Sequence, residues 1–314
     1  MSGGEKALFT LKVPATTANL GAGFDTLGMA LTLYNIFSVT ELLPEGEFSV
    51  QVLGEGALEL SDWKANMVIR SYCRACSEWN IPPRGFRLVN SNAIPVRCGL
   101  GSSSTAVVAG VMLAKLISGL KLPRSEMLRV MTSIEGHPDN VVPCTVGGMT
   151  VSCWDGEQLQ YVKMPALPDS LKVVAVVPNC QVSTEAARSI LPPEVPFRDA
   201  VFNVSHAALL CAAWSMGRWD LLSSTMDDRL HQTYRASLIP GGADILNEIR
   251  QRPGCAAVAI SGSGPTMVAL ARGGVGGIAK AMCSIFARHG VTSHFFVLNS
   301  ATFGTRIERG EKSA

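Results

Sequence analysis

The segment Pro95-Val96-Arg97-Cys98-Gly99-Leu100-Gly101-Ser102-Ser103-Ser104-Thr105 carries the most chemistry for its length. Gly99 and Gly101 let the backbone approach a bulky ligand and adopt dihedrals that other residues resist. An apolar, alanine-rich run to Leu120 follows and reads as a helix, so the unpaired N–H groups of its first turn would face a ligand with the positive end of the helix dipole. Serine hydroxyls add donors to phosphate, or a ligand to Mg²⁺. A serine that merely caps the helix is the plain alternative, but three serines and a threonine after G-L-G are more than a cap needs. The recipe is one for polyphosphate. It is not a Walker A loop, because G-x-x-x-x-G-K-[ST] occurs nowhere, and the dinucleotide pattern G-x-G-x-x-G is not met.

Three further clusters of polar residues stand out. In Pro14-Ala15-Thr16-Thr17-Ala18-Asn19-Leu20-Gly21-Ala22-Gly23-Phe24-Asp25, Asp25 can pair with a substrate ammonium and Asn19 offers both a donor and an acceptor. Both could equally organise a tight glycine turn. Glu135-Gly136-His137-Pro138-Asp139-Asn140-Val141-Val142-Pro143 gathers two carboxylates, an imidazole and an amide within a few residues. Asp139 either contacts a ligand or holds the turn. Arg188, in Ser183-Thr184-Glu185-Ala186-Ala187-Arg188, and Arg235, in Asp228-Arg229-Leu230-His231-Gln232-Thr233-Tyr234-Arg235, carry the planar fork that matches a carboxylate. Arg229 and His231 read as structural. Cys73 and Cys76 form a C-x-x-C inside a helical pattern with no second pair, so neither zinc nor redox chemistry is expected of them.

These residues need elements to position them. Strands are expected at 7–13, 31–40, 47–53, 86–92, 149–154, 171–177, 255–260, 266–271 and 292–298. Helices are expected at 66–79, 101–120, 124–135, 199–216, 218–228, 242–250 and 274–288. The helix at 124–135 ends before Gly136-His137-Pro138 because proline restricts the residue preceding it. Proline-rich 191–198 reads as a loop, and the last dozen residues as frayed. Strands and helices mix without strict alternation, which argues for α+β rather than a doubly wound sheet.

Composition sets the background: 314 residues, 47% hydrophobic, 17% charged, net charge +2. So small an imbalance gives no reason to expect nucleic acid or an anionic membrane as partner. No stretch approaches the ~18 apolar residues of a membrane span, and the N-terminus lacks a secretory pattern. Nine scattered cysteines suit reduced thiols in a cytoplasmic protein.

The loop from Ile94 to Thr105 resembles the P-x-x-x-G-L-G-S-S-A phosphate loop of the GHMP kinases. The segment 14–25 resembles their first motif and Ser261-Gly262-Ser263-Gly264-Pro265-Thr266 their third. Arg97 and Ser104 depart from the usual small residue and alanine. E-G-H-P-D-N, S-T-x-x-A-R and D-R-L-H-Q-x-Y-R are similar to segments of the homoserine kinase branch. The resemblance implies a two-domain GHMP kinase fold, with a ribosomal-S5-like domain at 1–165, a ferredoxin-like domain at 166–314 and the site between them. It implies transfer of phosphate from ATP to L-homoserine with Mg²⁺, loop residues 95–105 on the nucleotide, and a homodimer. Glu135 would bind Mg²⁺ with Ser102 or Ser103, and Asn140 would contact the reacting hydroxyl. Asn19, Asp25, His137, Thr184, Arg188 and Arg235 would hold the substrate. Asn66 is expected to contact adenine. Another GHMP kinase substrate, or a nucleotide-binding regulator without catalysis, are the competing readings.

Overall fold

The computed structural model describes residues 7–310. The chain opens with β1 (Phe9–Ala18), the long β2 (Leu27–Glu45) and β3 (Phe48–Gly54), then α1 (Met67–Glu78) and β4 (Arg84–Asn92). After the glycine-serine loop come α2 (Ser102–Ser118), α3 (Arg124–Glu135), α4 (Pro138–Val146) and the hairpin β5 (Met149–Trp154) and β6 (Leu159–Met164). These strands and β11 (Arg306–Arg309) form one sheet in the order β11-β1-β2-β4-β3, with β5 paired to the N-terminal end of β2 and β6 paired to β5. The second layer is the antiparallel sheet β10-β7-β9-β8, built from β7 (Lys172–Pro178), β8 (Cys255–Ile260), β9 (Met267–Ala271) and β10 (Ser293–Leu298). Between β7 and β8 lie α5 (Thr184–Ser189), α6 (Phe197–Ser215), α7 (Leu222–Thr225), α8 (Gln232–Arg235) and α9 (Gly242–Arg250). Helix α10 (Val275–Arg288) joins β9 to β10, and β11 is Arg306–Arg309.

The layers follow from where apolar side chains can go. Helix α1 buries Val68, Ile69, Tyr72, Ala75 and Cys76, the helical spacing of one face, against α2 and the first sheet. Helix α2 is apolar on nearly all sides because it is central, with sheet and helices around it. Strand β7 is an unbroken apolar run for the same reason. Val173, Ala175 and Val177 enter the core shared with Trp214 of α6, while Val174 and Val176 face α9 and α10.

The structure corrects the expected elements in four places. Helix α4 exists although Pro138 stops α3, because proline is well tolerated at a helix's first position. Pro143 inside it donates no hydrogen bond to the Asp139 carbonyl, and Gly28 fills that side: a Cβ there would lie 1.6 Å from this oxygen. The helix expected at 218–228 is only a 3₁₀ turn, Trp219–Leu221, and the single turn α7. Short helices α5 and α8 carry Arg188 and Arg235. The tail is not frayed up to residue 310: β11 pairs with β1, and Leu31 bridges to Ser300. The sheets change over between β6 and β7, around residue 165, yet the last strand returns to the first sheet, so 166–314 is not one contiguous layer. Nine free cysteines make no disulfide, Cys73 and Cys76 included.

Candidate functional site

The phosphate-type loop is held from below. Thr16 donates its N–H to the Leu100 carbonyl, Thr266 its N–H to Cys98, and Ser261 its hydroxyl to Gly99 at 2.7 Å. The turn after β8 therefore buttresses the loop. Gly99 and Gly101 have φ of +85° and +70°. A Cβ at Gly99 would meet the Ser261 carbonyl at 2.2 Å, and one at Gly101 the Thr16 hydroxyl at 2.0 Å, so both positions require glycine. Gly101 caps α2 without a side-chain hydrogen bond, leaving the first-turn amides of residues 102–104 pointing out of the helix end. Beneath them Pro95, Cys98 and Leu100 are buried.

A cleft of ≈ 580 Å³ opens over this loop, and its two ends differ in chemistry. At one end stand Asp25, Glu135, His137, Asp139, Asn140, Arg188 and Arg235. Arg188 makes a two-pronged ion pair with Asp25, 2.9 and 2.8 Å, which raises the arginine's pKa. Arg235 is buried, donating to the carbonyls of Ala187 (3.0 Å) and Gly262 (3.1 Å). Burial, then Arg188, lower its pKa. Both guanidiniums lie over Phe24, at 4.9 Å for Arg235 and 5.7 Å for Arg188. Phe24 in turn stacks on His231, whose Nε2 lies 2.9 Å from the Gly21 carbonyl.

The floor of this end is α4 and the end of α3. His137 Nδ1 pairs with Asp139. Burial alone would lower the imidazole pKa, but the charge and hydrogen bond of Asp139, joined by Glu135 and Asp25, raise it to about 9. Burial pushes the Glu135 carboxyl up, opposed by His137 and by the hydrogen bond from the Ser104 hydroxyl. Asn140 is buried and fixed: its Oδ1 accepts from the Thr16 hydroxyl at 2.6 Å and its Nδ2 donates to Asp139 at 3.2 Å.

Among the described residues, the interior of the other end carries no acidic or basic side chain. Phe37, Leu60, Ala65, Met67, Val68, Val96 and Ala106 supply apolar surface, with Asn35, Asn66, Asn90 and Asn92 among them. The exposed pair Arg97 and Glu59, 3.8 Å apart, sits at the rim.

Against known proteins, residues 66–148 match the family model described as GHMP kinases N terminal domain, and 207–288 that for GHMP kinases C terminal. A homoserine kinase of Carboxydothermus hydrogenoformans is 41% identical over 279 residues, 89% of this chain and 90% of its own length. One from Moorella thermoacetica is also 41% identical, over 90% and 93%. The crystal structure of a homoserine kinase from Cytophaga hutchinsonii superposes with a TM-score of 0.84 at 28% identity, covering 98% of this chain and 99% of the other. The chain belongs to the homoserine kinase family of GHMP kinases. The two-domain α+β fold expected from the motifs is the fold of this family.

The residues that mark the family in the sequence do converge here, but not always with free side chains. Asp25, His137, Arg188 and Arg235 line the charged end together, with Thr184 exposed beside them. Asn19 lines the cleft, and its amide also holds the backbone: Nδ2 donates to the Gly262 carbonyl (2.9 Å) and Oδ1 accepts the Asp25 N–H (3.0 Å). It builds the turn that presents Asp25, with φ of +71°. Asn66 is likewise committed, capping α1 through Val68 N–H and donating to the Leu60 carbonyl. Among the loop hydroxyls, Thr105 faces inward, donating to the Ser102 carbonyl and accepting from Asn35. Ser104, not Ser102 or Ser103, bonds Glu135. Thr16, the partner of Asn140, was not singled out; its place in the first motif was the available signal.

Proposed function

We propose that the chain transfers the γ-phosphoryl group of ATP to the side-chain hydroxyl of L-homoserine, giving ADP and O-phospho-L-homoserine. The observation that carries this reading is a separable acid–base pair, Asp25 with Arg188, beside an anion-binding helix end. A zwitterionic amino acid can replace both halves at once, its ammonium on Asp25 and its carboxylate on Arg188, with Arg235 adding positive charge behind. A simple hydroxy acid that took Arg188 would leave Asp25 without a partner, and a neutral sugar could replace neither half of the pair, which is costly in a half-buried site.

Phosphoryl transfer asks the protein mainly to position groups and neutralise charge. First-turn amides of α2 would hold the phosphates, and Ser102 and Ser103 add hydroxyls. Glu135 and Ser104, already hydrogen-bonded and facing the loop, form a donor set that suits Mg²⁺, with Ser102 as a further ligand. Bound there, Mg²⁺ would offset charge on the β- and γ-phosphates. No lysine lines the cleft among the described residues, and Asp139 is engaged by His137 and Asn140. Asn140, held by Thr16, therefore orients the hydroxyl for in-line attack without a strong general base.

ADP release with Mg-ATP, measured against L-homoserine, mevalonate, shikimate and galactose, tests the reading. Turnover is expected with L-homoserine alone. Turnover with another acceptor would overturn the substrate assignment, and nucleotide binding without any turnover would favour a regulator.

A further inference from the structure

Helix α6 is apolar on the side that faces away from the molecule. From Ala200 to Gly217 the chain has no Asp, Glu, Lys or Arg. The inner face accounts for part of this run: Leu210, Ala213 and Trp214 are buried, and Asn203 donates to the Ala22 carbonyl and the Asp228 carboxylate. The fold gives no reason for the opposite face. Phe197 (85% exposed), Val204 (70%) and Met216 (77%) stand out of it, with Val201 and Leu209 between them. Single exposed hydrophobic residues are ordinary. A continuous stripe along a whole helix is not, and points to a surface that something covers.

The taper of the stripe says what covers it. Phe197, Val201, Val204 and Ala208 follow one another at helical spacing in one exposed row, which Ala212 and Ser215 continue. The first half of the row is bulky and the second half is small. A parallel copy of the helix would set bulk against bulk. An antiparallel copy, related by a two-fold axis at the middle of the helix, sets Phe197 against Ser215 and Val204 against Ala208, and so fills both halves at once. Charge agrees with this. Asp199 is paired with Arg229 and Arg218 with Asp220, so these charges at the ends of the row are already answered within the chain. A charged partner would strand its own ions on the face, and an anionic membrane would find no Lys or Arg between Arg198 and Arg218.

We propose that the outer face of α6 is the interface of a two-fold symmetric homodimer in which the two copies of the helix pack antiparallel. The helix is about 28 Å long, and its face alone is smaller than the ~800 Å² per partner of long-lived interfaces. Association is therefore in the micromolar range, and the dimer dissociates on dilution.

Sedimentation velocity of the full chain across the micromolar range tests this. The sedimentation coefficient should rise with concentration from that of a monomer to that of a dimer. Val204→Lys brings two ammonium groups together beside the axis and should weaken association at least about tenfold. Ala208→Glu should do the same with carboxylates. Because Val204 opposes Ala208 of the other copy, the double variant Val204→Lys/Ala208→Glu should regain the dimer, which a parallel pair, with lysine against lysine, could not. Val162→Lys, at an exposed hydrophobic residue of β6, should leave association unchanged. Val204 and Ala208 are both exposed, so no core packing is lost and the circular dichroism of the variants should match that of the unmodified chain. A chain that stays monomeric throughout would overturn the proposal, as would a dimer that survives Val204→Lys or one that only Val162→Lys disrupts. A monomer that instead floats with phosphatidylcholine–phosphatidylglycerol vesicles would overturn it in favour of a membrane. Failure of the double variant to regain the dimer would overturn the antiparallel pairing.

Discussion

The two ends of the cleft solve opposite electrostatic problems with neighbouring backbone. The charged end brings three acids, an imidazole and two guanidiniums around Asn140: Asp25 pairs with Arg188 and Asp139 with His137, while Glu135 accepts from Ser104 and Arg235 donates to backbone carbonyls. The neutral end buries asparagines and apolar side chains and leaves two acceptors unpaired. Charges confined in a half-buried space must find partners within the protein, because an isolated ion there is far more costly than an unpaired amide. The charged end therefore waits closed on itself, and a ligand must exchange partners to enter. On the proposed function, selectivity at the first comes from replacing two charges together.

The largest break in this contrast should come where the two ends meet. Glu135→Ala removes the carboxylate facing the loop and should lower kcat by about 10²–10³-fold, as losing a group that stabilises transition-state charge does. Nucleotide affinity measured without Mg²⁺ should be unchanged, and a variant with normal kcat would remove Glu135 from the site. Next, Asp25→Ala and Arg188→Ala should each raise KM for L-homoserine by about 10–100-fold with KM for ATP unaffected, the cost of stranding one member of an ion pair. The double variant should lose less than the product of the two single losses, because each single change leaves an uncompensated charge. Full additivity would show that the pair does not act as a unit.

Asn140→Ala should reduce turnover roughly tenfold or more through loss of orientation, with ATP affinity retained. Thr16→Val, which only frees the Asn140 amide, should show the same pattern more weakly; unchanged turnover in Asn140→Ala would require another group to align the hydroxyl.

The smallest effect concerns stability and pH. His231 is fully buried beneath Phe24, its Nε2 serves the Gly21 carbonyl, and its Nδ1 has no partner. Burial lowers its pKa below the ordinary 6.5 despite Asp228 nearby, so the folded protein keeps it neutral. The unfolded chain binds the extra proton more readily. Stability is therefore undiminished above pH ~6.5 and falls as pH drops towards the depressed folded value. Hydrogen exchange at residues 21–25 should quicken below that pH before exchange at 90–92 does, and His231→Gln should flatten the slope. Simultaneous opening of both regions would separate His231 from the charged end's stability.

Much of the site was legible because its chemistry is local. The glycines at 99 and 101, the serines after them, and the carboxylate and amide of Glu135 and Asn140 announce themselves by type and spacing, since a tight anion-binding turn tolerates few alternatives. The two arginines proposed to hold the substrate, Arg188 and Arg235, were legible only through their surrounding segments, because a lone arginine on a short helix looks like any surface cation. The asparagines of β4 gave no signal, because polar residues alternating along a strand usually face water; Asn90 and Asn92 are instead buried.

The amino-acid sequence by itself determined the turns, the helix that opens on the phosphate loop and the kinds of groups available, because those depend on backbone freedom and side-chain chemistry within a few residues. Tertiary structure decided how each polar atom is used. It spends Asn19 on Gly262, Asn66 on a helix cap and Thr105 on Asn35, turns Ser104 towards Glu135, and returns β11 to β1. Each outcome depends on a partner distant in sequence, and a hydrogen bond is settled by which donor arrives within about 3 Å, a distance that only the packed layers set.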